Sequence, residues 1–411
     1  MDEPIVVGID IGTTKVCTLV ARVEGERGLR ILGVGIEPSQ GIRKGTIVDL
    51  GAATQSIARS VEKAQRTSGL EITSALVSLA GSHVSSVNSR GVVGVSGRMI
   101  DQDDVARALE AAQAVAIPHN REIIHVIQRG FVVDGQDGIR MPVGMHGFRL
   151  EMEAHIITAA ATTVENLRQS VQAAGVEATQ FVLNPLASAE VVLSETERQM
   201  GAVVCDIGGG TTDLAIYIDG DVWHTMVIAV GGNHVTSDIA HGLRLPMEQA
   251  EEIEKQYGYA LEREVAADDT FAMRPFGEEQ AEIVSRKDLA HIIEARVEEI
   301  FDLVLQEIKR SGYDGMLPAG MVLTGGMSNL PGIRTLASEV LGLPVRIAKP
   351  DNLVGLVDQL HSPAYSTSVG LLYWALMMSE TMPVAPRGRR PRGGGNVNWE
   401  IIKNFLKRML P

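Results

Sequence analysis

The chain has 411 residues, 45% of them hydrophobic and 4% aromatic, with 37 Lys or Arg against 51 Asp or Glu for a net charge of −14. This length allows two or more domains with substantial cores, and the acidic balance argues against nonspecific nucleic-acid binding by the body of the protein. No run of eighteen apolar residues occurs, and neither the two cysteines nor the ten histidines fall in a zinc spacing. Together with a start, Met1-Asp2-Glu3-Pro4, that lacks the basic region of a secretory signal, this predicts a cytoplasmic protein.

Residues 1–82 read as a β-β-β-α-β unit. An apolar run from Ile5 meets Asp10-Ile11-Gly12-Thr13-Thr14-Lys15 and leaves as a second run to Val23; a third strand covers 30–35. A helix over 50–69, apolar at Ile57, Val61 and Ala64, then leads to a strand at 74–79. Residues 83–162 break the pattern. They hold an alternating stretch at 92–95, an Asp101-capped helix over 103–116, and strands at 125–133 and 150–157, with turns at Asp134-Gly135 and Asp137-Gly138. About eighty residues with this much apolar pattern predict a small inserted α+β domain rather than a surface loop. Residues 163–200 resume the first half, with a helix ended by Gly175, a strand at 179–183 and a helix over 185–193.

The second half opens with residues 201–228, whose centre is Asp206-Ile207-Gly208-Gly209-Gly210-Thr211-Thr212-Asp213 between two apolar strands. Glycines let backbone N–H groups converge on an anion, and the threonine hydroxyls add donors. Asp206 and Asp213 cannot face phosphate directly, so they hold a metal ion or its waters. The alternative is a tight hairpin with incidental polar residues. The same grammar at Asp10 to Lys15, about two hundred residues earlier, favours duplicated halves that face one ligand. Cys17 and Cys205, one in each hairpin, read as small core residues.

Further on, Gly231-Gly232-Asn233 caps a helix, and 229–305 is helix-rich and charged, with Arg286-Lys287-Asp288 ahead of a long helix over 289–310. Residues 306–358 contain a third glycine turn, Thr324-Gly325-Gly326-Met327, which can lay flat backbone against a base or sugar. None of the three turns is a P-loop. Within 359–380 an apolar helix over 367–378 returns to the first half. Residues 381–397 are a Pro-, Arg- and Gly-rich linker that cannot bury enough to fold.

In 398–411, Trp399, Ile401, Ile402, Phe405, Leu406, Met409 and Leu410 fill one side of a helical wheel, and Glu400, Lys403, Asn404, Lys407 and Arg408 fill the other. Residues 383–411 carry seven Arg or Lys and one Glu, a net of +6 on an acidic protein. A basic amphipathic helix on a basic tether suits an anionic bilayer surface, and it is too short to span one. The alternative is a helix that docks on the body or in a partner groove.

The strings DIGTT, DIGGGTTD and LTGG, in this order, resemble the two phosphate loops and the adenosine loop of the actin, heat-shock-70 and sugar-kinase ATPase superfamily. With the insert and tail, the chain resembles the FtsA family of bacterial actin homologues over essentially its full length. Residues 81–88, 206–213, 292–296 and 365–370 add to that resemblance. It implies an α/β, actin-like two-lobed ATPase fold with an inserted small α+β domain and a C-terminal amphipathic membrane-targeting helix, binding ATP and Mg²⁺.

By this resemblance Gly12, Thr13, Thr14 and Lys15 hold one side of the phosphates, and Gly208, Gly209, Gly210 and Thr211 the other, with Thr212 and Asp213 as further nucleotide-site candidates. Asp10 and Asp206 orient Mg²⁺ through its waters. Gly325, Gly326 and Met327 lie along the adenosine, and Gly232 and Asn233 are further nucleotide-binding candidates. Glu251 matches a ribose contact, but the relatives' lysine three residues later is Glu254 here, with Lys255 adjacent. Asn184 stands where relatives place a water-positioning Gln or Glu; it is shorter and cannot accept a proton as a general base, so weak or no ATPase activity is expected.

The resemblance further implies actin-like filaments and partner recruitment through the insert. The C-terminal tail of FtsZ would be bound by the 229–305 region, with Arg286, Lys287 and Arg296 as candidates, although charges on a helical face are also common without a partner. Anionic lipids of the inner membrane, on its cytoplasmic face, would be bound through Trp399, Ile402, Lys403, Phe405, Leu406, Lys407, Arg408 and Met409. A metabolic kinase or pilus-assembly ATPase of the same superfamily is the competing reading.

Overall fold

A computed structural model describes residues 4–25, 28–115, 117–351 and 353–379. The linker and tail helix, with all the membrane-contact candidates, lie outside the described residues. Among the described residues no helix is long and apolar enough to cross a membrane.

The chain runs through β1 (Ile5–Ile11), β2 (Lys15–Glu24), β3 (Gly28–Pro38), the short pair β4 (Ile42–Arg43) and β5 (Thr46–Ile47), α1 (Leu50–Ser68) and β6 (Ser74–Leu79). The insert follows as β7 (Ser85–Gly94), α2 (Gln102–Gln113), β8 (Arg121–Val133), β9 (Gln136–Ile139) and β10 (Arg149–Ala160). The first half resumes with α3 (Ala161–Ala173), β11 (Glu177–Leu183), α4 (Asn184–Val192) and α5 (Glu195–Met200). Next come β12 (Ala202–Ile207), β13 (Thr212–Ile218), β14 (Asp221–Ile228), α6 (Gly232–Gly242), α7 (Met247–Tyr257), β15 (Thr270–Met273), β16 (Glu282–Ser285) and α8 (Arg286–Ser311). The described chain ends with β17 (Gly320–Thr324), α9 (Ile333–Leu341), β18 (Val345–Ile347), β19 (Val354–Gly355) and α10 (Ser366–Ser379).

The duplication expected from the hairpins is visible in the sheets. The first is ordered β11-β6-β1-β2-β3-β19 and the second β14-β13-β12-β17-β18. In each, three antiparallel strands lead and two parallel strands join on the far side of the first strand. β12 and β13 are buried on both faces, which is why they read as near-continuous apolar runs rather than alternations. α1 covers the first sheet, capped by the Asp49 side chain on the Ala52 amide and ended by Gly69 in the left-handed region.

The insert is a four-stranded antiparallel sheet, ordered β7-β10-β8-β9, with α2 across it. Leu150, Met152, Phe131, Val105 and Leu109 form its own core. Asp101 caps α2 in a reciprocal arrangement with Asp104.

Three local features were not anticipated. The charged stretch between α7 and α8 contains the β15–β16 hairpin, α5 follows α4, and β18 and β19 extend the sheets. These strands have two to four residues, too few for a period to register.

Candidate functional site

The two glycine turns are built alike. Gly12 N–H donates to the Lys15 carbonyl at 3.0 Å, and Gly208 N–H donates to the Thr211 carbonyl at 2.9 Å. Ile11 pairs with Val16 and Ile207 with Thr212, so each turn has four residues. This register sets Thr13 and Thr14 in correspondence with Gly209 and Gly210. It also makes Asp10 the counterpart of Asp206, and Cys17 that of Asp213. Both cysteines are buried and unpaired. Burial beside Asp10 pushes the Cys17 thiol up to about 12, so it stays an inert core group.

The turns face each other. A Cβ on Gly209 would lie 2.1 Å from Thr14 Oγ1, and one on Gly210 would lie 2.4 Å from Thr13 Oγ1. Only glycine on one side allows the threonines of the other this close. Gly231 and Gly232 complete the wall: Gly232 N–H donates to the Gly208 carbonyl at 2.9 Å and Asn233 N–H to the Gly209 carbonyl at 2.8 Å. Gly325, at φ +87°, sits where a Cβ would be 2.4 Å from Asp206 Oδ1, and Met327 Sδ closes on Gly232. The phosphate-turn and adenosine-turn candidates are thus brought together from both halves.

At the floor, Asp10, Asp206 and Asp213 are all buried. Burial pushes the Asp206 carboxyl up to about 6, with repulsion from Asp10 adding to the rise and the Thr367 hydroxyl opposing it. Asp213 is raised well above the carboxylate range by burial and by Asp206. Thr211 Oγ1 donates to Asp213 Oδ2 at 3.0 Å, while Asp213 Oδ1 and the adjacent Asn184 Oδ1 are buried with no partner. Such orphaned acceptors around repelling carboxylates fit a cation or its waters. Among the described residues no three His, Cys, Asp or Glu converge as direct ligands, which suits an ion held mainly through water and phosphate oxygen.

The sequence reading missed the first turn of α10. Ser368 donates to Asp10 Oδ2 at 2.6 Å, Thr367 donates to Asp206 Oδ2 at 2.8 Å, and the Ser366 and Thr324 hydroxyls share a bond of 2.7 Å. Three consecutive hydroxyls therefore hold carboxylates from both halves and the adenosine turn. Three hydroxyl residues in a row at the start of an apolar helix were the available signal. Gly370, two residues on, lets α10 cross α4, since a Cβ there would lie 1.9 Å from the Ala187 carbonyl oxygen.

Other candidates are placed differently. Lys15 Nζ donates to the Ala364 carbonyl at 2.5 Å and lies 4.7 Å from the Tyr365 ring centroid. Lys255 pairs with Glu251 at 2.5 Å on the outer face of α7. Glu254 instead turns toward α6, where Thr236 donates to it at 2.5 Å and burial raises its carboxyl to about 7. All three cations chosen for the FtsZ contact have partners within the chain. Arg286 donates to the Tyr257 carbonyl and pairs with Asp269, Lys287 lies 3.6 Å from Glu262, and Arg296 clamps Asp238 and reaches Glu299.

Residues 203–370 match the family model of the cell division protein FtsA, and residues 81–158 match that of the SHS2 domain inserted in FtsA. The cell division protein FtsA of Pseudomonas aeruginosa is 42% identical over 384 residues, covering 93% of this chain and 92% of that protein. The chain belongs to the FtsA family. Membership makes it an actin-like cell-division protein and sets aside the metabolic-kinase and pilus-assembly alternatives. The fold itself is shared more widely. A PilM–PilN type IV pilus biogenesis complex superposes with a TM-score of 0.63 at 15% identity, covering 90% of this chain and 98% of that one. MreB5 of Spiroplasma citri bound to AMPPNP gives a TM-score of 0.57 at 16% identity, covering 92% and 97%.

Proposed function

We propose that this family member binds ATP with Mg²⁺ between its two halves, assembles into actin-like filaments, and ties FtsZ filaments to the cytoplasmic face of the inner membrane through its tail. The observation that carries the nucleotide reading is the face-to-face approach of the Gly12–Lys15 and Gly208–Thr211 turns, where the Thr13 and Thr14 hydroxyls lie against the opposite glycines beside buried carboxylates. Asp10 and Asp206 would hold Mg²⁺ through water, with the orphaned oxygens of Asp213 and Asn184 as further acceptors. The ion would neutralise phosphate charge. Asn184 positions water poorly and supplies no base, so ATP serves mainly as a conformational and assembly ligand.

The remaining assignments follow the domain reading. Residues 83–162 are the self-contact and recruitment module, 229–305 carries the FtsZ-tail site, and 381–397 tethers the membrane helix of 398–411. The intrachain pairs of Arg286 and Arg296 mean that an acidic peptide would have to share these cations with Asp269 and Asp238. Two experiments test the reading. Titration with ATP, with and without Mg²⁺, should show Mg²⁺-dependent binding. Co-sedimentation with anionic liposomes should compare the full chain with one ending before Asn398. Tail-dependent binding that carries FtsZ down supports the tether; equal binding by both versions, or none, returns the helix to an intramolecular role.

A further inference from the structure

The insert belongs to the first half by chain connectivity, yet it also grips the second. β14 is the outer strand of the second sheet. Its pairing with β13 jumps from Ile216–His224 to Tyr217–Val222, which leaves Trp223 as an extra residue. On the insert, β10 pairs Glu153 with Gly130 and Ala154 with Gln128, which leaves Arg129 as an extra residue on β8. A bulge breaks the alternation of a strand and re-aims the side chain it carries. These two bulged side chains meet: the Arg129 guanidinium lies 3.7 Å from the Trp223 ring centroid, and Arg129 is 8% exposed.

Polar contacts surround the pair. Asn88 on β7 donates to the Trp223 carbonyl at 3.2 Å and to the Tyr313 hydroxyl at 3.3 Å, and Ser86 donates to the Thr225 carbonyl at 2.9 Å. These side chains satisfy edge-strand carbonyls that would otherwise need water or another strand. His155 bridges the Asn88 amide oxygen at 2.6 Å and the Thr225 hydroxyl at 2.9 Å. Arg140 pairs with Asp221 at 2.9 Å and donates to the Asp219 carbonyl.

Both clasping strands lead to the phosphate site. β14 ends at Ile228, three residues before the Gly231–Gly232 turn that bonds Gly208. Along β8, His125 precedes Arg129 by four residues, and its Nε2 accepts from the Leu183 N–H at 3.1 Å, directly before Asn184. We propose that the Arg129–Trp223 clasp couples the inserted domain to closure of the two halves over nucleotide, so that ATP sets how firmly the insert is held. The coupling rests on the nucleotide reading above. The phosphate turns and the clasp are two of the links between the same halves, beside the first turn of α10, and in this proposal each favours the closed arrangement. By reciprocity, loosening one weakens the other.

The test uses the full chain with Arg129→Ala, Trp223→Leu, their double variant, and Ser86→Ala/Asn88→Ala as a pair less buried in the fold. ATP affinity and amide exchange of residues 85–94 and 221–228 are measured on each. ATP is expected to slow exchange of both segments in the native protein. Each variant should exchange faster there and bind ATP about fivefold more weakly or worse, with the double variant close to the worse single. Variants that exchange faster yet bind ATP as the native protein does overturn the coupling alone. Unchanged exchange in the folded variants overturns the clasp. A native protein that binds no ATP overturns the nucleotide reading and the coupling together.

Discussion

Replacing Thr367 with Val tests whether the first turn of α10 sets the charge state of the Asp206 carboxylate. The Thr367 hydroxyl donates to Asp206 Oδ2 at 2.8 Å, and both residues are buried. Burial has already pushed this carboxyl up to about 6. A hydrogen bond to a charged group contributes about 1.5–3 kcal/mol, and about 1.4 kcal/mol corresponds to one pKa unit. Loss of the hydroxyl therefore raises Asp206 by about one to two units, to neutral pH or above. Val keeps most of the volume, so the change is electrostatic. In the variant, Asp206 holds a proton near pH 7 and must release it before facing a hydrated cation. Mg²⁺-dependent ATP affinity is measured by calorimetry from pH 6 to 9. In the native protein affinity is expected to rise as pH passes about 6 and then to level. The rise in Thr367→Val shifts to higher pH, giving about a two- to tenfold loss near pH 7 that closes by pH 9. A loss of equal size at every pH, or no loss at all, would refute the reasoning.

Gly370→Ala puts a methyl 1.9 Å from the Ala187 carbonyl oxygen and 2.4 Å from its carbon, both backbone, so α10 and α4 must part. Overpacking of this kind costs about 1–3 kcal/mol or more, read as a lowered thermal midpoint; an unchanged midpoint would show that the crossing is looser than described. Glu197 is held down at about 2, first by the Arg346 guanidinium and further by its bonds to Ser194. A depressed carboxylate adds stability above its unfolded pKa and loses it as pH falls through the folded one. The stability difference between native and Glu197→Gln in denaturant should therefore be full above pH 4.5 and vanish toward pH 2. Asp206, raised instead, has the opposite sign: without nucleotide, its contribution to stability falls as pH climbs from about 4 to about 6. Asn184→Gln lengthens the side chain that faces the orphaned Asp213 oxygen and should raise phosphate release from ATP. No increase would show that reach toward water is not what limits turnover.

What the sequence revealed follows from how local each signal was. The hairpins at Asp10 and Asp206 announced themselves because strand, glycine turn and strand lie within about twenty residues, and their repetition gave the duplicated sheets. The Thr-Thr pair that both strings share does not set their residue-by-residue correspondence. The hydrogen bonds that close each turn align Thr13 and Thr14 with glycines instead, and steric fit explains why. One wall is bare so that the other can carry hydroxyls. The role of Thr367 and Ser368 was hidden because their carboxylate partners lie 161 and 358 residues away. The run of three hydroxyl residues marks an unusual helix start, but nothing local says which element's charge it meets. The bulges at Arg129 and Trp223 were hidden for a related reason. Alternation shows which face a strand buries, but an extra residue is a property of the pair, fixed only once the partner strand is in register. The same holds for Arg286 and Arg296. In the sequence they are cations on a helix, and only packing shows that Asp269 and Asp238 already occupy them. An acidic partner at that face must therefore exchange ion pairs rather than fill free charge, and such exchange gives selectivity more readily than affinity.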